Sequence, residues 1–304
     1  MAPLLGGGWL PPGILLLFIL AVLSLSFVLF GMSMPAQAGS APLFVGDAES
    51  QSNQQTRGNG VAGTVHPAGA LRMVSFFPSL SKSGNQIVAC QPTGESYGEL
   101  DVVAPPTDRP ADQHADLNLG LRSYAQTIAI QSLVSYNGAS DSSAPQLSGL
   151  FNDNRTPAFG TLYRVHDWNW ECNCPGNLLN PWPVTLAGLA VTPGEVIRVP
   201  DSGYSIGSGY EVLVLYASTN RITLKYTRTD NVVSGYTLQI ENICVDTNLL
   251  ALYQSWNAAG RDHLPALRAG QAIGSATGYE IGVAIRDTGS FMDPRSRNDW
   301  WRGR

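Results

Sequence analysis

From residue 183 onward the chain is a succession of short apolar runs cut by turn residues, and that punctuation leaves little room for anything but β-structure. PVTLAGLAVTPGEVIRVP (183–200) reads as two strands around a Thr192-Pro193-Gly194 turn. YEVLVLYA (210–217) and RITLKYT (221–227) read as a hairpin across Ser218-Thr219-Asn220, and GYTLQIENICV (235–245) as a further strand. Within HLPALRAGQAIGSATGYEIGVAIRDTGSFMDPR (263–295), LPALRAGQAIG reads as one turn-bounded strand and YEIGVAIRD as its partner, closing on an Asp-Pro stop at Asp293 and Pro294. Short strands recurring between turns predict a sandwich or barrel. One interlude departs from the pattern: TNLLALYQSWNAAG (247–260) spaces its apolar residues helically and stops at Gly260, predicting one short helix near Asn248–Asn257. The fold class is therefore all-β with one short helix.

Upstream the composition changes. Residues 13–31, GILLLFILAVLSLSFVLFG, are apolar, and Ala36-Gln37-Ala38 fits a signal cleavage site. No Lys or Arg precedes Arg57, so the basic flank of a signal peptide is missing, and the run is long enough to span a bilayer, which takes roughly 20 residues. Residues 1–38 are thus either a cleaved signal peptide or an uncleaved membrane anchor; both put the remainder outside the cytoplasm. Residues 39–116 read as a low-complexity tether and linker, flexible over Gly39–Ala70 and Pro- and Asp-rich in APPTDRPADQHAD (104–116). Residues 117–183, with QTIAIQSLVSY as their best strand candidate, read as an N-terminal extension of the β-domain at 184–304.

A net charge of −5, with Lys82 and Lys225 the only lysines, supplies no basic footprint and argues against nucleic-acid partners. No Gly-rich phosphate loop, Gly-x-Ser-x-Gly elbow or paired-carboxylate motif stands out. Cys90, Cys172, Cys174 and Cys244 form an even set, as in exported disulfide proteins. A direct Cys172–Cys174 bridge is geometrically awkward, so one of that pair is expected to bond Cys244. The cluster VHDWNWECNC (165–174) also offers His166, Asp167, Glu171 and two thiols to a soft metal, although disulfide use is the favoured reading. Trp168, Trp170, Trp182, Trp300 and Trp301 either pack the core or line a groove that stacks on sugar rings or peptide side chains.

The order of segments from Val184 to Pro294 resembles the lysostaphin-type zinc metallopeptidase domain, a barrel-sandwich hybrid with the duplicated hybrid motif. PGEVIRVPDSGY (193–204) is similar to its strand-and-turn element, EVLVLYAS and RITLKYTR to its central hairpin, and LPALRAGQAIG to its Gly-Gln step. The resemblance implies an early His-x-x-x-Asp pair near Val184–Gly188, where this chain reads VTLAG. It also implies a Tyr-x-His step at Tyr226-Thr227-Arg228 and a final His-x-His at Glu280 and Gly282. With no imidazole at these positions, the zinc site and its activated water are absent. What remains is a degenerate, non-catalytic scaffold in which Tyr226, Arg228 and Glu280 line an inherited groove, without a cofactor. Such a protein would bind a cell-wall glycan or peptide, or an envelope protein, or serve structurally. The alternative is a metallopeptidase-like hydrolase that uses His166, Asp167 and Glu280 as replacement ligands.

Overall fold

A computed structural model of the chain describes residues 90–103 and 108–303. The expected signal peptide or anchor, and the tether before residue 90, lie outside the described residues. Fourteen strands dominate: β1 (Gly98–Asp101), β2 (Tyr124–Gln126), β3 (Phe159–Asn169), β4 (Cys174–Leu178), β5 (Leu186–Ala190), β6 (Val196–Arg198) and β7 (Val212–Ala217) in the first half. They are followed by β8 (Arg221–Lys225), β9 (Tyr236–Glu241), β10 (Ile243–Val245), β11 (His263–Leu267), β12 (Ala272–Ala276), β13 (Glu280–Asp287) and β14 (Ser290–Met292). Helices are few. α1 (Leu119–Arg122) and α3 (Arg297–Trp300) are single turns, and α2 (Thr247–Ala258) is the helix expected from its spacing. Asp246 caps it, its Oδ1 accepting from Asn248 N at 2.8 Å and Leu249 N at 3.0 Å.

The large sheet runs β1-β11-β7-β8-β9-β13-β5-β3-β2, with β14 added to β13 and β4 to β3; β10-β12-β6 form a small second sheet. Every strand pairing within these sheets is antiparallel. The β7–β8 hairpin forms as read. Three expected strands do not stay whole. LPALRAGQAIG breaks at a turn where Gly270 takes φ 72°, sending β11 to the large sheet and β12 to the small one. GYTLQIENICV breaks at Asn242, φ 63°, into β9 and β10. The two strands around Thr192-Pro193-Gly194 are β5 and β6, which likewise part into different sheets. QTIAIQSLVSY contributes only the end of β2, and Ile128 and Ile130 stand exposed.

Alternation in the central strands sorts their residues onto two faces. Ile222 and Leu224 of β8, Leu238 and Ile240 of β9, and Ile281, Val283 and Ile285 of β13 point into the main core and are essentially inaccessible. Leu249 and Tyr253 of α2 join them. Trp300 and Trp301 also belong to this core; their Nε1 groups donate to Asp293 O and Pro294 O at 2.9 and 2.8 Å. The Asp-Pro stop is therefore a buried hub. Asp293 is paired with Arg295 at 2.6 Å and accepts from Tyr136 Oη at 2.7 Å.

Two disulfides close the fold, and their pairing corrects the expectation. Cys244 bonds Cys90, and Cys172 bonds Cys174. The awkward bridge forms because Asn173 takes a left-handed φ of 50° at the β3–β4 tip, which brings the flanking Cα atoms to 5.3 Å, within ordinary disulfide reach. Cys90 reaches Cys244 from a stretch whose composition reads as tether, yet which carries β1 and pairs with β11.

Candidate functional site

The second face of β8, β9 and β13 carries Thr223, Lys225, Thr237, Gln239, Glu241 and Arg286, residues that would normally face water. None is more than 5% exposed. Buried polar groups must find partners; Lys225 finds Ser234 O and Thr237 Oγ1, Glu241 finds Arg221, and a short segment supplies partners to the others. Ala111–Arg122 lies across this face, and four sheet side chains donate to it. Thr223 Oγ1 reaches Leu117 O at 2.6 Å and Gln239 Nε2 reaches Asp116 O at 3.0 Å. Arg221 Nη1 reaches Asn118 Oδ1 at 2.9 Å and Arg286 Nη1 reaches Asp116 Oδ1 at 2.8 Å. Asp116 also holds Arg122 at 2.6 Å, and Phe291 lies under both guanidinium groups. Burial pushes the Asp116 carboxyl up, but Arg286 and Arg122 outweigh it and hold it below its usual 3.8. The stretch read as linker is, from Asp108 on, a cover folded onto the sheet.

Where this cover meets the β3–β4 tip it leaves a cleft of about 330 Å³ lined by Asp108, Arg109, His114, Asp116 and Trp170. Trp170 is 42% exposed, whereas Trp168 is 8% exposed and packs edge-on to it at 6.3 Å. The Arg109 guanidinium sits 4.8 Å from the Trp170 ring centre and His114 meets the ring edge at 5.3 Å. Arg109 is held by Asp108 through bonds of 2.9 and 2.7 Å, and its Nη1 donates to Asn173 Oδ1. His114 Nδ1 accepts the backbone N–H of Asp116 at 3.2 Å, which fixes the tautomer with the proton on Nε2, 3.7 Å from Asp108. Burial lowers the His114 pKa below 6.5, against the pull of Asp116 and Asp108, so the ring is neutral at pH 7. The cleft thus offers an aromatic surface beside carboxylate acceptors and fixed N–H donors. Trp168 Nε1, next to it, is buried with no hydrogen-bond partner.

The residues singled out from sequence do not assemble into one groove. Tyr226 is buried, donates to Pro200 O at 3.0 Å, and has its hydroxyl pKa driven well up by burial. Arg228 straps the β1 end, donating to Asp101 O at 2.9 and 2.6 Å. Glu280 lies at the far end of the sheet: Tyr226 is level with Asp287, seven residues along β13, roughly 20 Å away. There the Glu280 carboxylate accepts from Thr161 N at 2.7 Å and fills the space above Gly160 and Gly188, where a Cβ at either glycine would overlap it. Gly188 is paired with Gly282. His166 Nδ1 is engaged with Gly176 O at 2.8 Å, and Asp167 Oδ1 accepts from Trp168 N at 2.8 Å. Thr161, which holds Glu280, lies five residues from His166 along β3, roughly 15 Å away, so this trio is not brought together. Among the described residues no group of three His, Cys, Asp or Glu is placed to hold a metal ion, and no helix is long and apolar enough to cross a membrane.

The sequence reading gave no site role to Asp108, Arg109, His114, Asp116, Arg122 or Arg286. The available signal was the polar half of the alternation in β8, β9 and β13: strands in mid-sheet with Thr, Gln, Lys and Arg on one face need a polar cover. In comparisons with known proteins, no family model, no curated protein and no solved structure matches the chain.

Proposed function

We propose that this chain is an exported, non-catalytic binding protein of the cell envelope, holding a cell-wall glycan or peptide in the Trp170 cleft on a degenerate lysostaphin-type scaffold. The observation that carries the reading is the cleft itself. A half-exposed indole beside Asp108, Arg109, His114 and Asp116 combines a stacking surface with convergent donors and acceptors, the chemistry of sugar and peptide recognition. Its volume of about 330 Å³ suits one sugar ring or one side chain.

The scaffold part of the reading rests on β13 in the middle of a β-rich domain. Of the positions that the resemblance assigns to the zinc site, Gly188, Glu280 and Gly282 fall together across β5 and β13. Glycine occupies two of them and the Glu280 carboxylate folds over the gap. Arg228, at the position of the Tyr-x-His step, is at the other end and is held by Asp101 O. Occupied side chains and a covered polar face favour binding over hydrolysis. Two disulfides fit an oxidising compartment outside the cytoplasm.

Calorimetric titration of the full chain with soluble disaccharide-peptide fragments of peptidoglycan tests the proposal. Saturable binding that weakens roughly ten-fold in Trp170→Ala, with an unchanged melting temperature, is expected. Saturable binding that ignores Trp170 would move the site away from the cleft, and no binding at all would remove the glycan or peptide reading and leave an envelope protein partner or a structural role.

A further inference from the structure

The two disulfides differ in ways that give them different chemistry. Cys90–Cys244 joins residues 154 positions apart, and Cys244 is 3% exposed within β10. Cys172–Cys174 spans a single intervening residue at a hairpin tip, where Cys172 is exposed and Cys174 half-buried. Closing so short a loop removes little freedom from the unfolded chain, so this bridge adds little to the stability of the fold. Its Cys172 sulfur is exposed and open to an attacking thiolate, whereas the other bridge offers only the half-buried Cys90, with Cys244 buried behind it.

Both walls of the cleft bear on that small ring. Trp170 precedes Cys172 by two residues, and Asn173, inside the ring, accepts the hydrogen bond from Arg109, whose guanidinium lies over Trp170. Asn173 sits at φ 50°, a left-handed conformation that asparagine adopts more readily than most residues, and the closed ring locks it there. Opening the ring lets Asn173 leave that conformation and removes one partner of Arg109, which then keeps Asp108.

We propose that Cys172–Cys174 is an exchange site for external dithiols, and that its reduction loosens the Arg109 wall of the Trp170 cleft. The first thiolate of the dithiol attacks Cys172 Sγ. The Cys172–Cys174 bond breaks, and Cys174 leaves as a thiolate that takes a proton from water. The second thiol of the reagent, as thiolate, then attacks its own sulfur in the mixed disulfide and releases Cys172. Two electrons pass to the protein, and the dithiol becomes a cyclic disulfide. This does not depend on what the cleft binds.

Dithiothreitol is the probe. The full-length oxidised protein is exposed to increasing reagent under native conditions, alkylated at intervals, and its four cysteines are quantified by peptide mass spectrometry. Tryptophan emission is followed in parallel, in wild type and Trp170→Phe. Alkylation of Cys172 and Cys174 several-fold faster than of Cys90 and Cys244 is expected. An emission change in wild type that is absent from Trp170→Phe is expected with it, while far-ultraviolet dichroism stays constant. Simultaneous opening of both bridges, or opening of Cys172–Cys174 only as the dichroism collapses, would overturn the exchange site. Fast reduction without any Trp170-dependent change in emission would overturn the link to the cleft.

Discussion

Asp116 and Arg286 stand 170 positions apart in sequence and 2.8 Å apart in the fold, joined by a hydrogen-bonded ion pair that pins the covering segment to the central sheet. Because Asp116 also neutralises Arg122, replacing it leaves two nearly buried guanidinium groups without their shared carboxylate. Asp116→Asn is expected to cost about 3–5 kcal/mol in urea unfolding at pH 7. Asp108→Asn, at an exposed carboxylate, should leave the midpoint unchanged. The folded-state pKa of Asp116 is depressed, so its stabilising contribution is present above 3.8 and is lost as pH falls below that value.

Two other buried groups give stability a minimum near neutrality. Burial, partly offset by Arg221, raises Glu241 from 4.5 to about 7. The folded state therefore holds the proton more tightly than the unfolded one, and stability falls as pH rises from 4.5 to 7. Burial also lowers Lys225 from 10.5 to about 7, with Arg286 adding to the effect and Asp287 opposing it. The unfolded chain then binds the extra proton, and stability climbs from pH 7 toward 10.5. Unfolding free energies should show that Glu241→Gln removes the fall, worth no more than about 3 kcal/mol, and that Lys225→Met removes the rise. A wild-type profile flat between pH 4.5 and 10.5 would contradict both assignments.

The disulfides should separate in a stability assay. Replacing Cys90 and Cys244 with serine opens a loop whose ends lie 154 residues apart and should cost about 4 kcal/mol. The corresponding double serine variant at Cys172 and Cys174 should cost about 1–2 kcal/mol. Equal losses in chemical denaturation would show that the hairpin-tip bridge carries more of the fold than its loop length implies.

Metal removal is expected to change nothing. His166 and Glu280 are committed to Gly176 O and Thr161 N and lie far apart on the sheet. Dialysis against a chelator should leave the melting temperature and glycan binding within error. Stoichiometric zinc in elemental analysis, lost in His166→Ala or Glu280→Ala, would instead promote the hydrolase reading.

Much of the β-architecture was legible because its signals are local. The β7–β8 turn, the α2 spacing and the alternation of β13 are each written within about ten residues. What stayed hidden was long-range. Nothing in GYTLQIENICV announces that Asn242 turns the chain into a second sheet, and no local cue predicts that Cys90 crosses to Cys244. The cleft was invisible for the same reason. Asp108 and His114 belong to a Pro- and Asp-rich stretch whose composition says linker, and their role arises only once Arg286 and Thr223 need partners. Trp170 was flagged, but its separation from the buried Trp168 and Trp301 depends on the hairpin tip and not on sequence spacing.

Intact peptidoglycan sacculi offer the most direct measurement of the central claim. The full-length protein is incubated with sacculi, and the sedimented protein and the soluble fragments released are quantified together. Co-sedimentation that drops at least about ten-fold in Trp170→Ala, with no fragments released by either protein, is the predicted result. Release of cross-bridge fragments by wild type, abolished in Glu280→Ala and untouched in Trp170→Ala, would contradict it.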